Sequence, residues 1–269
     1  SHLVMNPLTG SSAGTAQLID PSTWKDTPGS DRIVEVLLED DPRPVHIQAW
    51  GGGNTAARAF YKLKTEYPDD YERAVSKVVM YNIWYQDGAG NYIEKMHPKV
   101  TMLLDNHFAG TWNYGSQRYT YQFVKDYVHS KGPLGALYPQ DYVSEGDSPA
   151  FLHTAATGLR SYEDPTYGGW GGRFYNVYGN VYKDISKGTY LRWIEYANRD
   201  FEARMEYCVA QKYEDANHKP VIKPIGGLDR TVRSGEKVIL EAEITDPDGQ
   251  RPSANWWQYE EADSYDGIV

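Results

Sequence analysis

Residues 145–149 read Glu-Gly-Asp-Ser-Pro, two carboxylates flanking a glycine just ahead of an apolar stretch. Two chemistries fit. Acids at a helix start satisfy its unpaired N–H groups and favour its dipole, which makes Asp147 a cap. Carboxylate oxygens on a turn also suit a hard cation, which makes Asp147 a metal or sugar ligand. Glu145 is then a proton donor, a sugar contact or a solvated turn residue. Other residues with chemical potential are Gln86, Asp87 and Asn91 in "QDGAGN", Asp105 and Asn106 in "LLDN", and Gly51, Gly52 and Gly53 followed by Asn54. The indoles of Trp112 and Trp170 are candidates to stack on a sugar or base, although each is equally a core residue. Arg173 completes the set. The sequence holds 23 Tyr and 8 Trp, a surplus of flat amphipathic side chains common where sugars or bases are stacked.

These residues must be positioned by something, and the pattern supplies it. "SDRIVEVLLED" puts Ile33, Val34, Leu37 and Leu38 on one helical face, with Ser30 or Asp31 as cap. "PVHIQAWGGGN" is a short apolar strand running into glycines, and "NTAARAFYKLKTEY" is the helix that follows. A strand from Val78 to Trp84 and a third in "KVTMLLDN" repeat the plan, and "YTYQFVKDYVHSKG" is a helix ending at Gly132. Strands alternating with helices predict an α/β fold, a mostly parallel sheet covered on both faces. Ligands of such sheets bind beyond the carboxyl ends of the strands, where Gly51–Gly53, Gln86–Asp87 and Asp105–Asn106 all fall. The segment "SYEDPTYGGWGGRFYNVYGN" shows neither helical nor strand period. "YLRWIEYANRDFEARMEYCVAQ" predicts one long amphipathic helix with Leu191, Ile194, Ala197, Phe201, Met205 and Cys208 on its apolar stripe.

Composition removes several function classes. A net charge of -10 argues against a nucleic-acid partner, and no apolar run reaches the ~18 residues of a membrane helix. Cys208 is the only cysteine, so an internal disulfide and a zinc–thiolate cluster are both excluded; its helical setting predicts a buried, inert thiol. No secretory leader pattern opens the sequence.

From about residue 217 the texture changes. "HKPVIKP" and "GEKVILEAEITDPDGQRPSANWWQY" alternate apolar and polar residues between turn signals, as the first strands of an antiparallel sandwich do. "DPDG" reads as a tight turn, or as a calcium loop. The expected boundaries are an α/β domain over 1–216 and an incomplete sandwich over 217–269.

Six segments in order, "VHIQAWGGGNTAARAF", "YNIWYQDGAGNYI", "GPLGALYP", "EGDSPAFL", "GGWGGRF" and "DFEARMEY", resemble the bacterial nucleoside-hydrolase-related proteins often labelled cellulose-binding. The resemblance implies the rear part of a nucleoside-hydrolase-like α/β domain followed by an immunoglobulin-like β-sandwich, secreted or periplasmic, with a small sugar or nucleoside-like ligand. Its implied activity is hydrolysis of an N-glycosidic or related sugar bond; the alternative is a catalytically inactive carbohydrate-binding protein. The remoter kin are the inosine–uridine-preferring nucleoside hydrolases. By their pattern Asn54 takes the place of a segment that binds calcium through a backbone carbonyl, and Asp147 the place of the aspartate completing the calcium shell. Gly146 stands where they carry a histidine that helps the leaving base depart. Gln86, Asp87 and Asn91 roughly replace their ribose-contacting loop. Their aspartate cluster has no counterpart, since "EDDP" at 39–42 has the wrong spacing, so the main calcium ligands are expected from an upstream segment of the same protein. On this basis the catalytic candidates are Glu145 and Asp87. The substrate-binding candidates are Gly52, Gly53, Gln86, Asn91, Trp112, Trp170 and Arg173, and the metal candidates are Asn54 and Asp147.

Overall fold

The structure, a computed structural model, describes residues 19–108, 122–138, 146–265 and 267. The chain divides into two compact units, residues 1–122 with 141–195, and residues 123–140 with 196–269.

In the first unit the order is α1 (Pro28–Leu38), β1 (Val45–Ala49), α2 (Asn54–Glu66), α3 (Pro68–Ser76), β2 (Val78–Ile83), α4 (Ala89–Met96) and β3 (Thr101–Asp105). The strands pair in parallel, Val45 beside Val78 and Val79 beside Thr101. β2 and β3 are almost wholly buried, as unbroken apolar strands covered on both faces must be. One face packs on α1–α4 through Val34, Leu37, Phe60, Leu63, Met80, Ile93 and Met102. The other carries Tyr81, Ile83 and Leu103 against Phe108, Ala150 and Phe174. Ion pairs tie α2 to the entry of α1, with Arg58 Nε 2.7 Å from Asp26 and Lys62 Nζ 2.8 Å from Asp31.

Local chemistry corrects several expectations. The cap of α1 is Thr27 rather than Ser30 or Asp31: its hydroxyl accepts from Ser30 N while Ser30 Oγ accepts from Thr27 N, and Pro28 fills the first turn. "GAGNYIEKM" is helical from Ala89. The segment without visible period ends in the first strand and turn of a hairpin, β4 (Phe174–Tyr178) turned at Gly179-Asn180 into β5 (Val181–Asp184). β5 runs parallel beside β3, giving the order β1-β2-β3-β5-β4 with only β4 antiparallel. Gly-Asn between aromatic and β-branched runs is a hairpin signal, hidden here by the glycines around it. Short helices α6 (Pro149–Leu152) and α7 (Gly188–Leu191) complete the described part of this unit.

In the second unit, residues 122–128 are helical with a π turn over Val124–Val128, followed by α5 (Gly132–Ala136). Val124 and Val128 pack with Met205, Phe201 and Tyr138 around α8 (Ile194–Tyr207). The single long helix expected from 190 onwards is broken between α7 and α8. Leu191 is exposed, and Cys208 lies past the end of α8 and is exposed rather than buried. β6 (Val221–Pro224) and β7 (Ala242–Thr245) form a separate antiparallel pair, consistent with part of a sandwich. "DPDG" forms a turn: Asp246 O accepts from Gly249 N at 3.2 Å, its side chain accepts from Asp248 N at 2.9 Å, and Gly249 adopts φ +74. Asp248 then holds His218, whose ring stacks 3.6 Å from that of Tyr213.

Candidate functional site

The loops after β1 and β2 and the start of α6 converge at the carboxyl ends of the strands. The Asp87 carboxylate accepts from Ala89 N at 2.9 Å and faces the backbone N–H groups of Gly53 and Asn54. One buried side chain thereby serves the N-termini of both α2 and α4. Burial raises its pKa, opposed by those same N–H donors. Gly53 suits this approach, since a Cβ there would lie 3.1 Å from Ala89 Cβ and 3.2 Å from Met80 Cε, both tight. Gln86 Nε2 bridges the carbonyls of Trp50 and Ile83 at 3.2 and 3.1 Å. α6 packs on β1 and β2, which brings the Phe151 ring to 6.4 Å from that of Trp50.

Three large aromatics stay open to solvent here, Trp50 at 46%, Trp84 at 40% and Phe151 at 44%. Trp84 sits at φ +39, a left-handed backbone that a bulky residue adopts only under constraint. Its N–H donates to Asp105 O at 2.9 Å, and its ring meets Phe108 edge-on at 5.1 Å.

Beside them lies a buried acidic pair. The β3–β5 register places Asp105 and Asp184 next to each other at the strand ends. Asp184 accepts from Asn106 N at 3.0 Å, His107 N at 3.1 Å and Tyr190 Oη at 3.1 Å, and its Oδ2 lies 2.5 Å from His107 Nδ1. Asp105 accepts from His107 N at 3.0 Å. Tyr81 Oη lies 2.8 Å from Asp105 Oδ2 and 2.9 Å from Gly171 O, two acceptors for a single hydroxyl proton. A protonated Asp105 resolves the conflict, donating to Tyr81 Oη, which donates to Gly171 O. Consistently, burial and then the Asp184 charge push the Asp105 pKa up to about 7. Gly169 and Gly172 exchange both backbone hydrogen bonds, so Trp170-Gly171 is a two-residue tip. A Cβ on Gly171 would lie 2.4 Å from His153 N and from Pro149 O. The glycines of "GGWGG" thus press a carbonyl against Tyr81.

Of the sequence candidates, Gly52, Gly53, Asn54, Gln86 and Asp87 come together at these ends. Asn54 is buried at the first position of α2. Asp147 is half-buried one residue before Ser148, which takes the cap position of α6, and its carbonyl accepts from Ala150 N at 3.1 Å. Asn91 is half-buried on α4, and Trp170 is half-buried at its hairpin tip. Arg173 turns its Nε to Thr166 O at 2.7 Å, inside its own loop. Glu145 and Trp112 lie outside the described residues. Among the described residues no three His, Cys, Asp or Glu side chains gather to hold a metal. Sequence reasoning missed Trp50, Trp84, Phe151, His107 and Asp184. The first four adjoin quoted motifs at strand or helix ends, whereas Asp184 becomes visible only with the hairpin.

A mostly parallel sheet with helices on both faces and polar loops at its strand ends is the nucleoside-hydrolase-like architecture. The chain belongs to the family described as Cellulose-binding Sde182, nucleoside hydrolase-like domain, whose model matches residues 8–174. It is similar, at 34% identity and a TM-score of 0.79 over 91% of its length, to a solved nucleoside hydrolase-related hypothetical protein from Saccharophagus degradans that is associated with carbohydrate metabolism. The chain covers 64% of that protein. No curated protein matches it.

Proposed function

We propose that this chain binds a carbohydrate at the carboxyl ends of β1, β2 and β3. The observation that carries this is the exposed group Trp50 and Trp84, beside loops braced by Asp87 and Gln86, with Phe151 on α6. Flat faces that cost little entropy to present are suited to the C–H faces of sugar rings. The family description, cellulose-binding, and the relative's association with carbohydrate metabolism support the same class of ligand. They also favour a place outside the cell; among the described residues no helix is long and apolar enough to cross a membrane. The test is tryptophan fluorescence on titration with cellotriose and with ribose. Trp50→Ala should weaken binding about tenfold, the loss of a stacking contact of ~1–1.5 kcal/mol. Unchanged affinity in both Trp50→Ala and Phe151→Ala would remove the platform from the site.

A second reading, hydrolysis of an N-glycosidic or related sugar bond, is favoured by the imidazole–carboxylate pair His107 and Asp184 at the same strand ends.

A further inference from the structure

We propose that His107 is the general base of this site and Asp184 its positioning residue. The proposal rests on the hydrolytic reading above and assigns its proton-transferring group. The His107 side chain is 46% exposed, while that of Asp184 is 1% exposed, so the pair has a wet end and a dry end. The dry end is fixed three times over. Asn106 N and His107 N donate to the carboxylate at 3.0 and 3.1 Å, and Tyr190 Oη donates at 3.1 Å. With Asp184 Oδ2 at 2.5 Å, Nδ1 carries the hydrogen of the neutral imidazole and Nε2 its lone pair. A solvent-open base oriented by a buried carboxylate is the arrangement that proton abstraction from water requires. The strained backbone of Trp84, whose ring abuts Phe108 next to His107, is a second mark of a constrained site.

In the reaction, Nε2 takes a proton from a water whose oxygen bonds to the anomeric carbon of the sugar. The bond from that carbon to the departing nitrogen or oxygen breaks, its electron pair leaving with that atom, which takes a proton from solvent. The imidazolium then returns its proton to solvent.

Two substrates separate the roles on the full chain, p-nitrophenyl β-D-riboside, whose leaving group needs no proton, and inosine, whose base does. The unsubstituted protein should turn over both. His107→Asn keeps an amide near the Nδ1 position to meet Asp184 and loses the group at Nε2. It should lower kcat about a hundredfold or more on both substrates, with thermal midpoint and cellotriose binding retained. Asp184→Asn should lower kcat likewise and reverse the His107 tautomer seen in imidazole nitrogen NMR shifts; an unchanged tautomer would overturn its positioning role. A loss confined to inosine would make His107 an acid and overturn the assignment, as would full activity in His107→Asn. No turnover of either substrate, with cellotriose still quenching fluorescence, would overturn the base and leave the binding site standing. Absence of quenching as well would remove both.

Discussion

Asp87 shows how one side chain can look chemical in sequence and act mechanically in the fold. Its neighbours in "QDGAGN" suggest a contact to sugar, yet its carboxylate faces the starts of α2 and α4. Asp87→Ala should therefore lower stability in urea by about 2–3 kcal/mol, the cost of stripping buried N–H groups of their acceptor at two helix ends. Saccharide affinity should hold. Lost affinity at unchanged stability would return Asp87 to the ligand site. Asp105 is the complementary case, an acid whose pKa burial and then the Asp184 charge push up to about 7. Asp105→Asn preserves a donor toward Tyr81 and should fold.

Elements were legible wherever one period ran unbroken. Val78–Trp84 and "KVTMLLDN" read as strands and "NTAARAFYKLKTEY" as a helix, and the structure has them at Val78–Ile83, Thr101–Asp105 and Asn54–Glu66. The hairpin 174–184 was not, because its partner on one side is β3, some eighty residues earlier, and local alternation is interrupted by glycines whose purpose is tertiary. Those glycines carry a prediction. Gly172 sits at φ +89 with the Tyr190 ring 2.3 Å from any added Cβ, and Gly171 meets backbone at 2.4 Å, whereas Gly179, at φ +50, faces open space. Alanine at 179 should cost about 1 kcal/mol. At 171 or 172 it should cost about 3 kcal/mol or more, from overpacking and, at 172, backbone strain. Equal thermal midpoints for Gly171→Ala, Gly172→Ala and Gly179→Ala would contradict this packing. The site followed the same rule as the fold. Strand ends located Gly52, Gly53, Gln86 and Asp87, while Trp50 and Phe151 meet only through α6 folding back onto β1.

For the whole molecule, buried titratable groups pull stability in opposite directions with pH. Burial lowers His97 to about 4 and His153 to about 3. Their contribution is full above the ordinary histidine value and is lost as pH falls from about 6.5 toward those values. Asp105 is raised, so its contribution is full below the ordinary carboxylate value and is lost as pH rises through about 7. Between pH 4.5 and 6 the histidines make stability climb with pH while Asp105 opposes them. Asp105→Asn should steepen that climb by about 1.4 kcal/mol per pH unit, one proton's worth. Urea titrations at four pH values measure it, and parallel curves for the two proteins would show that Asp105 is ionised throughout.

The pairing of β5 with β3 also sets an order of events in time. Asn106 and Asp184, which meet in the finished sheet, stand 78 residues apart along the chain. At roughly 5–20 residues per second a ribosome needs on the order of 4–16 seconds to deliver the second after the first. Through most of that interval β1, β2 and β3 are available to assemble, but the turn carrying His107 is held by Asp105 without Asp184, and Tyr81 lacks the Gly171 carbonyl. A nascent sheet of this protein thus waits, with its future strand-end chemistry loose, for a hairpin that arrives late.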